Sequence, residues 1–499
     1  MPRISQNRWF IIIGVIMLGL ILFFTMRLIF TPPSAKSPDH HSNGTSHITA
    51  IPARLTGTPR ATREPTQSNN PAKTGVQLLQ LSSDPYTNST SQHKTEVEPG
   101  SYAYGSTIIT AFQAGRFLND GSSNIGWATS TDAGATWQHG FLPGTTKFVG
   151  GPYDRITDPA VAYDAAHNAW MIASVVFLET SGGITAPAVL VSLSTNGGTI
   201  WGNPVTVVGV SSNGGLDKDW IACDNTLTSH FYGHCYVEWD NYNNGYLIQM
   251  SMSKDGGRTW GSARTTADQA VGFSGYPLVQ PDGTIIVPIS NANQTAIMIF
   301  TSTDGGASWR SPRTITAVTS FSANAYLRDA ILLTPAVDSA GTVYLVWVDC
   351  RFEQDCHGND LVMTTSTDGA AWSPIRRISI APVGSGIDYY VSGLGADQEH
   401  PGHLGLAFYS YSAGCTYNCK LSLGFVSSLD GGHSWSAKTK LAGPFPTNWV
   451  AAGNNRVGDY ITVSFSGGRA FPVFSVAAVP SGGHLNETMD TIEGGLGVG

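Results

Sequence analysis

The fold is decided by Ser253-Lys254-Asp255-Gly256-Gly257-Arg258-Thr259-Trp260, one copy of a Ser-x-Asp-x-Gly-x-x-Trp pattern that recurs along the chain. Four copies are intact, one carries Asn in place of Asp, and one is a residue shorter. The copies occupy residues 130–137, 194–201, 253–260, 302–309, 366–372 and 428–435. Their Asp or Asn positions lie 64, 59, 49, 64 and 62 residues apart. This spacing indicates a structural repeat.

Each copy has the composition of a tight turn. It follows a stretch with strand character, such as residues 245–252, and precedes a shorter strand. Asp and Ser side chains satisfy backbone groups in turns, and Gly adopts backbone angles that other residues resist. The closing Trp is expected to pack in the core, where burial removes about 150–250 Å² from water. That burial contributes at most roughly 4–6 kcal/mol per copy. We therefore expect structural turns rather than catalytic elements.

These copies resemble the Asp-box (BNR) repeat, which is known from sialidases and from several other secreted β-propellers. Residues 76–490 as a whole are similar to bacterial propellers described as sialidase-like or exo-α-sialidase-like. The resemblance implies an all-β propeller of four-stranded blades, with the boxes on turns away from the active site. It is specific for the fold and poorly specific for activity, since one fold hosts many functions.

The number of blades follows from counting strands as well as boxes. Six boxes indicate six blades, but residues 458–465 and 470–476 predict a further hairpin after the last box. Residues 484–492 would add a third strand, and the early segment 76–82 would supply the fourth. Joining both ends of the chain in one blade leaves no free sheet edge. The sequence therefore favours seven blades over six.

The N-terminal region predicts a membrane anchor. Residues 9–26 contain no charge, and roughly twenty apolar helical residues span the ~30 Å hydrocarbon core of a bilayer. Arg3 and Arg8 precede this run, which favours a cytoplasmic N-terminus and an exported body. The alternative is a cleaved signal peptide, for which residues 33–35 would be a weak cleavage site.

These features predict three regions. Residues 1–30 form a cytoplasmic tip and a transmembrane signal anchor, residues 31–75 a disordered Pro/Ser/Thr-rich stalk, and residues 76–499 the propeller. We expect a single-pass protein of the cell membrane with the propeller extracellular. Charged residues make up only 12% of the chain, and the net charge is −8. This composition excludes a nucleic-acid partner and suits a compact exported β-protein that binds glycans.

Cysteine spacing points to disulfides. The six cysteines form three close pairs, Cys223 with Cys235, Cys350 with Cys356, and Cys415 with Cys419. None has C-x-x-C spacing, and export permits disulfides that clip short loops. Zinc ligation through the neighbouring His234 or His357 is a minor alternative, and calcium at Asp217 and Asp219 is a weak one. We expect neither a metal nor a cofactor.

Ionisable residues recur in the loops that lead into the innermost strands, where propeller loops crowd around the axis. A ring of Arg and Asp there would suit an anionic sugar. The sialidase resemblance implies three arginines on the substrate carboxylate, a Tyr nucleophile activated by a Glu, and an Asp acid/base. By position, the candidates are Arg155, Arg328 and Arg456 for the arginines, Asp158 for the acid, Tyr460 for the nucleophile and Glu238 for its base.

Two interpretations of these residues remain open. The Phe-Arg-Ile-Pro segment that normally supplies the first arginine of sialidases is absent, and 154–157 resembles it only distantly. Each Arg–Asp pair is equally well explained as a structural ion pair between inner strands, and Glu238 as an outward residue. The sequence thus predicts a sialidase-like glycoside hydrolase acting on terminal sugars, including anionic ones. The alternatives are a non-catalytic cell-surface propeller that binds glycans or a protein, and a structural envelope protein.

Overall fold

The computed structural model of the protein describes residues 75–210, 214–323, 327, 332–453 and 457–499. These residues form 28 β-strands and four short 3-10 helices. Successive strands rich in β-branched and aromatic residues pair antiparallel across short turns, as such residues favour. The predicted all-β propeller is confirmed.

The N-terminal part of the described chain forms one eight-stranded sheet. Its strands follow β1 (Leu78–Gln80) and are β2 (Glu96–Tyr104), β3 (Thr107–Arg116), β4 (Ser122–Ser130), β5 (Gln138–Phe141), β6 (Arg155–Asp164), β7 (Ala169–Thr180), β8 (Gly183–Ser194) and β9 (Val205–Gly209). Its two antiparallel halves, β2–β5 and β6–β9, are joined by a single pair, Ser122 with Ile156. A 3-10 helix at Lys147–Val149 lies between the halves.

Three sheets follow. The first contains β10 (Leu216–Cys223), β11 (Cys235–Asn241) and β12 (Leu247–Ser253). The second contains β13 (Gly272–Phe273), β14 (Leu278–Val279), β15 (Ile285–Asn291), β16 (Ala296–Ser302) and β17 (Arg313–Ala317). The third contains β18 (Thr334–Val337), β19 (Val343–Asp349), β20 (Asp360–Ser366) and β21 (Arg376–Arg377). The 3-10 helices of this region are Tyr242–Asn244 and Gln354–Cys356.

Two sheets complete the chain. One contains β22 (Ile387–Ala396), β23 (Leu404–Ser412), β24 (Lys420–Ser428) and β25 (Thr439–Pro446), and a 3-10 helix follows at Thr447–Trp449. The last contains β26 (Thr462–Ser466), β27 (Arg469–Ala477) and β28 (Glu487–Ile492), with β1 as its fourth strand. Leu78 of β1 pairs with Ile492 of β28. The predicted closure by both ends of the chain is therefore confirmed.

The number of separate sheets differs from the predicted seven blades. The described strands form six hydrogen-bonded sheets, because the Ser122–Ile156 pair joins β2–β5 to β6–β9. The innermost strands β2, β6, β10, β14, β18, β22 and β26 contact one another in a closed ring. Strand counting could not reveal the Ser122–Ile156 pair, because this pair depends on how two neighbouring groups of strands pack.

The repeated boxes are hydrogen-bonded turns. In the copy at 428–435, Ser428 Oγ donates to Asp430 Oδ1 at 2.8 Å and accepts from the Gly432 amide at 2.9 Å. Asp430 Oδ2 accepts from the Ser434 hydroxyl at 2.6 Å. These bonds lower the pKa of Asp430 to about 2, with the Ser434 hydroxyl as the largest cause. The same hydroxyl contact occurs at Thr136, Thr259 and Ser308.

The box turns also pack against strands of the neighbouring group of strands in the ring. A Cβ on Gly134 of the first box would lie 2.2 Å from Cε1 of Phe471, on β27 of the last sheet. Gly432 of the last box meets Met363 on β20 in the same way. The boxes therefore join neighbouring units as well as turning the chain, and a glycine is required where the two surfaces meet.

No helix among the described residues is long and apolar enough to cross a membrane. The predicted signal anchor at 1–30 and the predicted stalk at 31–75, apart from residue 75, lie outside the described residues.

Candidate functional site

The beginnings of the inner strands surround a pocket at the propeller axis, which we call the axial pocket. It is lined by Asp158, Lys218, Asp219, Trp220, Ser274, Gly275, Tyr276, Leu332, Leu333, Thr334, Pro335, Ser392, Leu394, Tyr460, Ile461 and Thr462. Two of the predicted site residues, Asp158 and Tyr460, are among them. The loops into the inner strands thus deliver polar side chains to one place, as the sequence predicts for a propeller.

A repeated backbone irregularity aims charged residues at this axis. The register shifts between Val97 and Gly100 in β2, between Thr157 and Ala160 in β6, and between Asp217 and Trp220 in β10. The residues in the shifted positions, Glu98, Asp158 and Lys218, have φ values of 56°, 50° and 53°. Positive φ is uncommon for residues other than Gly, and it marks functional or tightly constrained positions. Three neighbouring inner strands therefore present a charge at the same bulge.

Asp158 is the centre of the charged group. It is 2% exposed. Its Oδ1 accepts a hydrogen bond from Tyr460 Oη at 3.3 Å and lies 3.6 Å from Lys218 Nζ. Burial raises the pKa of Asp158 to about 6, although Lys218 opposes the shift. A carboxyl with a pKa near neutrality exchanges protons readily, which suits acid/base chemistry.

Lys218 links Asp158 to a second carboxylate. Its Nζ lies 2.6 Å from Asp459 Oδ2, and its side chain is only 9% exposed. The Asp459 amide in turn donates to Glu98 Oε1 at 3.2 Å. A buried ion pair persists only when each charge is compensated. The group thus contains three carboxyl side chains, Glu98, Asp158 and Asp459, around the Lys218 amine.

Sequence reasoning missed Glu98 and the role of Lys218. Glu98 is 1% exposed, and Gln113 donates a hydrogen bond to its second oxygen. The overlooked signal was the placement of Glu98, Asp158 and Lys218 shortly before the apolar part of three successive inner strands. Their common bulge becomes visible only once the strands are paired.

Tyr460 belongs to an aromatic wall. Its ring packs edge-on against Trp220 at 5.6 Å between centroids, and Trp220 lies 4.2 Å from Tyr276 at an interplanar angle of 30°. Burial and the nearby carboxylates, Asp158 first among them, raise the pKa of Tyr460 well above its ordinary value. The phenol is therefore a hydrogen-bond donor at neutral pH. Aromatic faces of this kind offer flat apolar surface beside polar groups.

Glu238 does not share this hydrogen bond. It lies on β11 opposite Trp220, and its carboxylate is packed against Gly275, where a Cβ would lie 2.2 Å from Glu238 Cδ. Burial and then the nearby Asp240 raise the pKa of Glu238 well above its ordinary value. The described hydrogen bond of the Tyr460 hydroxyl is to Asp158 instead. The structure thus brings Tyr460 together with the predicted acid rather than with the predicted base.

Arg155 is buried and is not among the residues that line the axial pocket. Its Nε donates to Glu179 Oε1 at 2.8 Å, and its Nη1 donates to Asn119 Oδ1 at 2.7 Å. The guanidinium also lies 4.3 Å from the centroid of the Phe117 ring. These contacts agree with the alternative that Arg155 forms a structural ion pair. Arg328 and Arg456 lie outside the described residues, and their predicted roles stay predictions.

The cysteines form the three predicted disulfides, Cys223–Cys235, Cys350–Cys356 and Cys415–Cys419. Each closes a loop of at most 12 residues in sequence separation. Their sulfurs are therefore occupied, which removes the minor alternative of zinc held by thiolates beside His234 or His357.

Known protein families and structures share features with this chain. Residues 183–397 match the family described as BNR repeat-like domain. No curated protein has a significantly similar sequence. Among solved structures, a Hadza microbial sialidase is 15% identical with a TM-score of 0.40, over 70% of this chain and 66% of that one. Trypanosoma rangeli sialidase is 12% identical with a TM-score of 0.44, over 70% and 58%.

A third solved structure is an ulvan lyase of polysaccharide lyase family PL25. It is 10% identical with a TM-score of 0.46, over 83% of this chain and 96% of that one. This chain spans less than two thirds of the length of the T. rangeli sialidase. The family match and the six box turns on a ring of antiparallel sheets agree with the resemblance seen in the sequence. The chain is therefore a β-propeller with Asp-box turns, and its residues 183–397 match the BNR repeat-like domain.

Proposed function

We propose that the protein is a sialidase-like glycoside hydrolase that cleaves terminal sugars in the axial pocket. The observation that carries this proposal is the 3.3 Å hydrogen bond from Tyr460 Oη to Asp158 Oδ1. A hydroxyl held against a carboxylate is a nucleophile beside its base. Sialidases are an exception among glycosidases in using Tyr as the nucleophile. The pair lies in a concave pocket with an aromatic wall, which is the environment that sugar chemistry requires.

The proposed reaction uses three pocket residues. The Tyr460 oxygen forms a bond to the anomeric carbon as the bond from that carbon to the leaving oxygen breaks. The Tyr460 proton passes to Asp158. Asp219 lines the same pocket, and burial raises its pKa well above the ordinary value, so it holds the proton that the leaving oxygen needs. Water then attacks the anomeric carbon as its bond to the Tyr460 oxygen breaks. The water gives its proton to Asp219, and Asp158 returns the first proton to the Tyr460 oxygen.

The class of sugar depends on the charges around this pocket. Lys218 is the cation among the described lining residues, and two carboxylates, Asp158 and Asp459, already face it. Recognition of an anionic sugar therefore rests on Arg328 and Arg456, which remain proposed carboxylate-binding residues. Without them, the pocket favours a neutral terminal sugar. Both classes belong in the substrate panel.

The second candidate is a cell-surface propeller that binds glycans without cleaving them. It is favoured by the Trp220–Tyr276 pair, whose rings lie 4.2 Å apart and line the axial pocket. A sugar ring stacked on such a face is held by apolar contact alone, with no need for a nucleophile. This candidate uses the same pocket and differs only in the chemistry.

The location that we propose is the outer face of the cell membrane, with residues 1–30 as a single-pass anchor. The uncharged run at 9–26 supports this proposal. The three disulfides support it independently, because disulfides persist in oxidising compartments outside the cytosol.

The test is turnover by the full-length chain in detergent micelles. The panel contains fluorogenic glycosides of neutral sugars and a sialic-acid conjugate, and folding is checked by near-UV circular dichroism. We expect hydrolysis of at least one glycoside. Folded protein that cleaves none of them would overturn the hydrolase proposal. A glycan array on the same sample then separates the two candidates, since binding without hydrolysis supports the non-catalytic propeller.

A further inference from the structure

We propose that Asp397, His400 and His403 form a binding site for a divalent transition metal such as Zn²⁺. The three residues lie in the turn between β22 and β23, and their ligand atoms all lie within 4.8 Å of one another. Two imidazole nitrogens and one carboxylate oxygen form a donor set that zinc binds in proteins, with a further position left for water. This site is separate from the proposed sugar chemistry and does not depend on it.

Hydrogen bonds hold the carboxylate of Asp397 in one orientation. Asp397 is 2% exposed, which is unusual for a carboxylate at the surface end of a strand. Its Oδ1 accepts from the Glu399 amide at 2.9 Å, and its Oδ2 lies 2.8 Å from His400 Nδ1. A carboxylate beside an imidazole either coordinates the metal directly or orients the imidazole that does.

The backbone between the two histidines is fixed as well. The Gly402 amide donates to Asp338 Oδ2 at 3.0 Å, and Gly402 has a φ of 84°, which favours glycine. The His403 amide donates to the His400 carbonyl at 3.0 Å. The two imidazole rings are stacked, with centroids 5.1 Å apart and an interplanar angle of 14°. Both rings therefore lie on one side of a rigid turn, and only side-chain rotations are needed to close them on one ion.

A matching turn elsewhere in the propeller separates structural from ligating roles. Asp164 and His167 join β6 to β7 with the same spacing, and His167 Nδ1 lies 2.7 Å from Asp164 Oδ2. The residue opposite Asp164 is Ala169, the first residue of β7, whereas the Asp397 amide donates to the His403 carbonyl at 3.0 Å. The Asp-x-x-His contact is thus explained by the turn itself. The turn does not explain the position of His403. This third residue completes a set of three possible metal ligands.

The site lies beside a cavity at the far ends of the inner strands. Asp397 and Glu399 contribute to the lining of this cavity, which has a volume of about 510 Å³. The His400 side chain is 52% exposed, so open coordination positions of the metal face solvent. The axial pocket instead lies at the beginnings of the same strands. A metal bound here would hold the β22–β23 turn in place and would offer its open positions to water or to an anionic ligand.

The test is titration of the full-length chain with Zn²⁺, followed by isothermal calorimetry and by competition with a chromophoric chelator. We expect one zinc ion that is lost, or bound at least about tenfold more weakly, in His403→Ala. His167→Ala in the matching turn should leave this zinc ion in place. His40→Ala with His41→Ala should also leave it, which excludes the histidine pair of the predicted stalk.

Circular dichroism confirms that each variant is folded, and His403→Gln supplies a second, polar replacement. Equal zinc stoichiometry and affinity in the wild type and in both His403 variants would overturn the proposal. Loss of the zinc ion in His167→Ala but not in His403→Ala would also overturn it, because the ion would then belong to the other turn.

Discussion

Tyr460 Oη lies 3.3 Å from Asp158 Oδ1, although 302 residues separate the two in the chain. Closure of the ring brings them together, since β2 contacts both β26, which follows Tyr460, and β6, which contains Asp158. The contact therefore depends on the last sheet meeting the first one. Two residues that are distant in the sequence therefore form one hydrogen bond in the axial pocket.

The first prediction concerns the proposed nucleophile. Tyr460→Phe removes the oxygen that attacks the sugar, and we expect kcat to fall by at least about a thousandfold. The matched control is Tyr344→Phe, because Tyr344 Oη donates to Asp338 Oδ2 at 2.8 Å outside the axial pocket. That variant should keep its turnover. Steady-state kinetics on the best glycoside of the panel measures both, and unchanged kcat in Tyr460→Phe would refute the assignment.

The second prediction is a pH dependence of activity. Burial raises the pKa of Asp158 from 3.8 to about 6, and only the ionised form accepts the proton of Tyr460. We therefore expect kcat/KM to rise as the pH increases through about 6. Asp158→Asn should lose this limb together with most of the activity. A profile measured from pH 4 to pH 8 that shows no such limb in the wild type would contradict the proposed base.

The same shift predicts a pH dependence of stability. The folded protein binds the Asp158 proton more tightly than the unfolded chain, so this contribution is complete below pH 3.8 and is lost as the pH rises through about 6. Asp158→Asn should therefore show a flatter free energy of unfolding between those pH values than the wild type. Urea unfolding at several pH values measures the difference. Parallel curves for the two proteins would show that Asp158 does not titrate in this window.

The fourth prediction compares a buried and an exposed ion pair. Lys218→Met removes the cation between Asp158 and Asp459, where the lysine side chain is 9% exposed. We expect a loss of about 3–5 kcal/mol in the free energy of unfolding, because two buried carboxylates lose their counter-charge. The control is Lys147→Met, which breaks a 2.5 Å contact with Asp154 by a lysine that is 62% exposed. That change should cost less than about 1 kcal/mol. Similar losses in both variants would contradict the buried network.

The fifth prediction tests the boxes. The copy at 194–201 carries Asn196, and its Oδ1 accepts from the Ile200 amide at 3.0 Å. Where the four intact copies have a Thr or Ser hydroxyl bonded to the Asp, this copy has Ile200. Asn196→Asp combined with Ile200→Thr should restore that hydrogen bond, with a favourable coupling of about 0.5–1.5 kcal/mol in a double-mutant cycle. Strict additivity of the two single variants in thermal or urea unfolding would show that the hydroxyl contact contributes nothing.

Much of the fold was predictable because its signals are local. The box turns are formed by residues within eight positions of one another, so their spacing alone indicates the repeat. Pairing of the 76–82 segment with the C-terminal strand followed from strand counting, and β1 and β28 confirm it. The number of separate sheets did not follow, since the Ser122–Ile156 pair depends on the fit between two units.

The candidate site was only partly predictable, and the reason is geometric. The sequence selected Asp158 and Tyr460 from their positions before inner strands, and the structure places both in the axial pocket. It did not predict the contacts of Arg155 with Glu179 and Asn119, which are distant in sequence. It also missed Lys218 as the link between Asp158 and Asp459. Such a link joins residues of β6 and β10 to the segment that precedes β26.

The sequence by itself determined the propeller, its box turns and its paired cysteines, because each is specified by short-range spacing and by residue type. Only the tertiary structure decided which charges meet at the axis. The bulges at Glu98, Asp158 and Lys218 turn three side chains inward, and ring closure adds Tyr460 from the other end of the chain. Burial in that shared space then sets the protonation of Asp158. Local spacing carries no information about such long-range convergence.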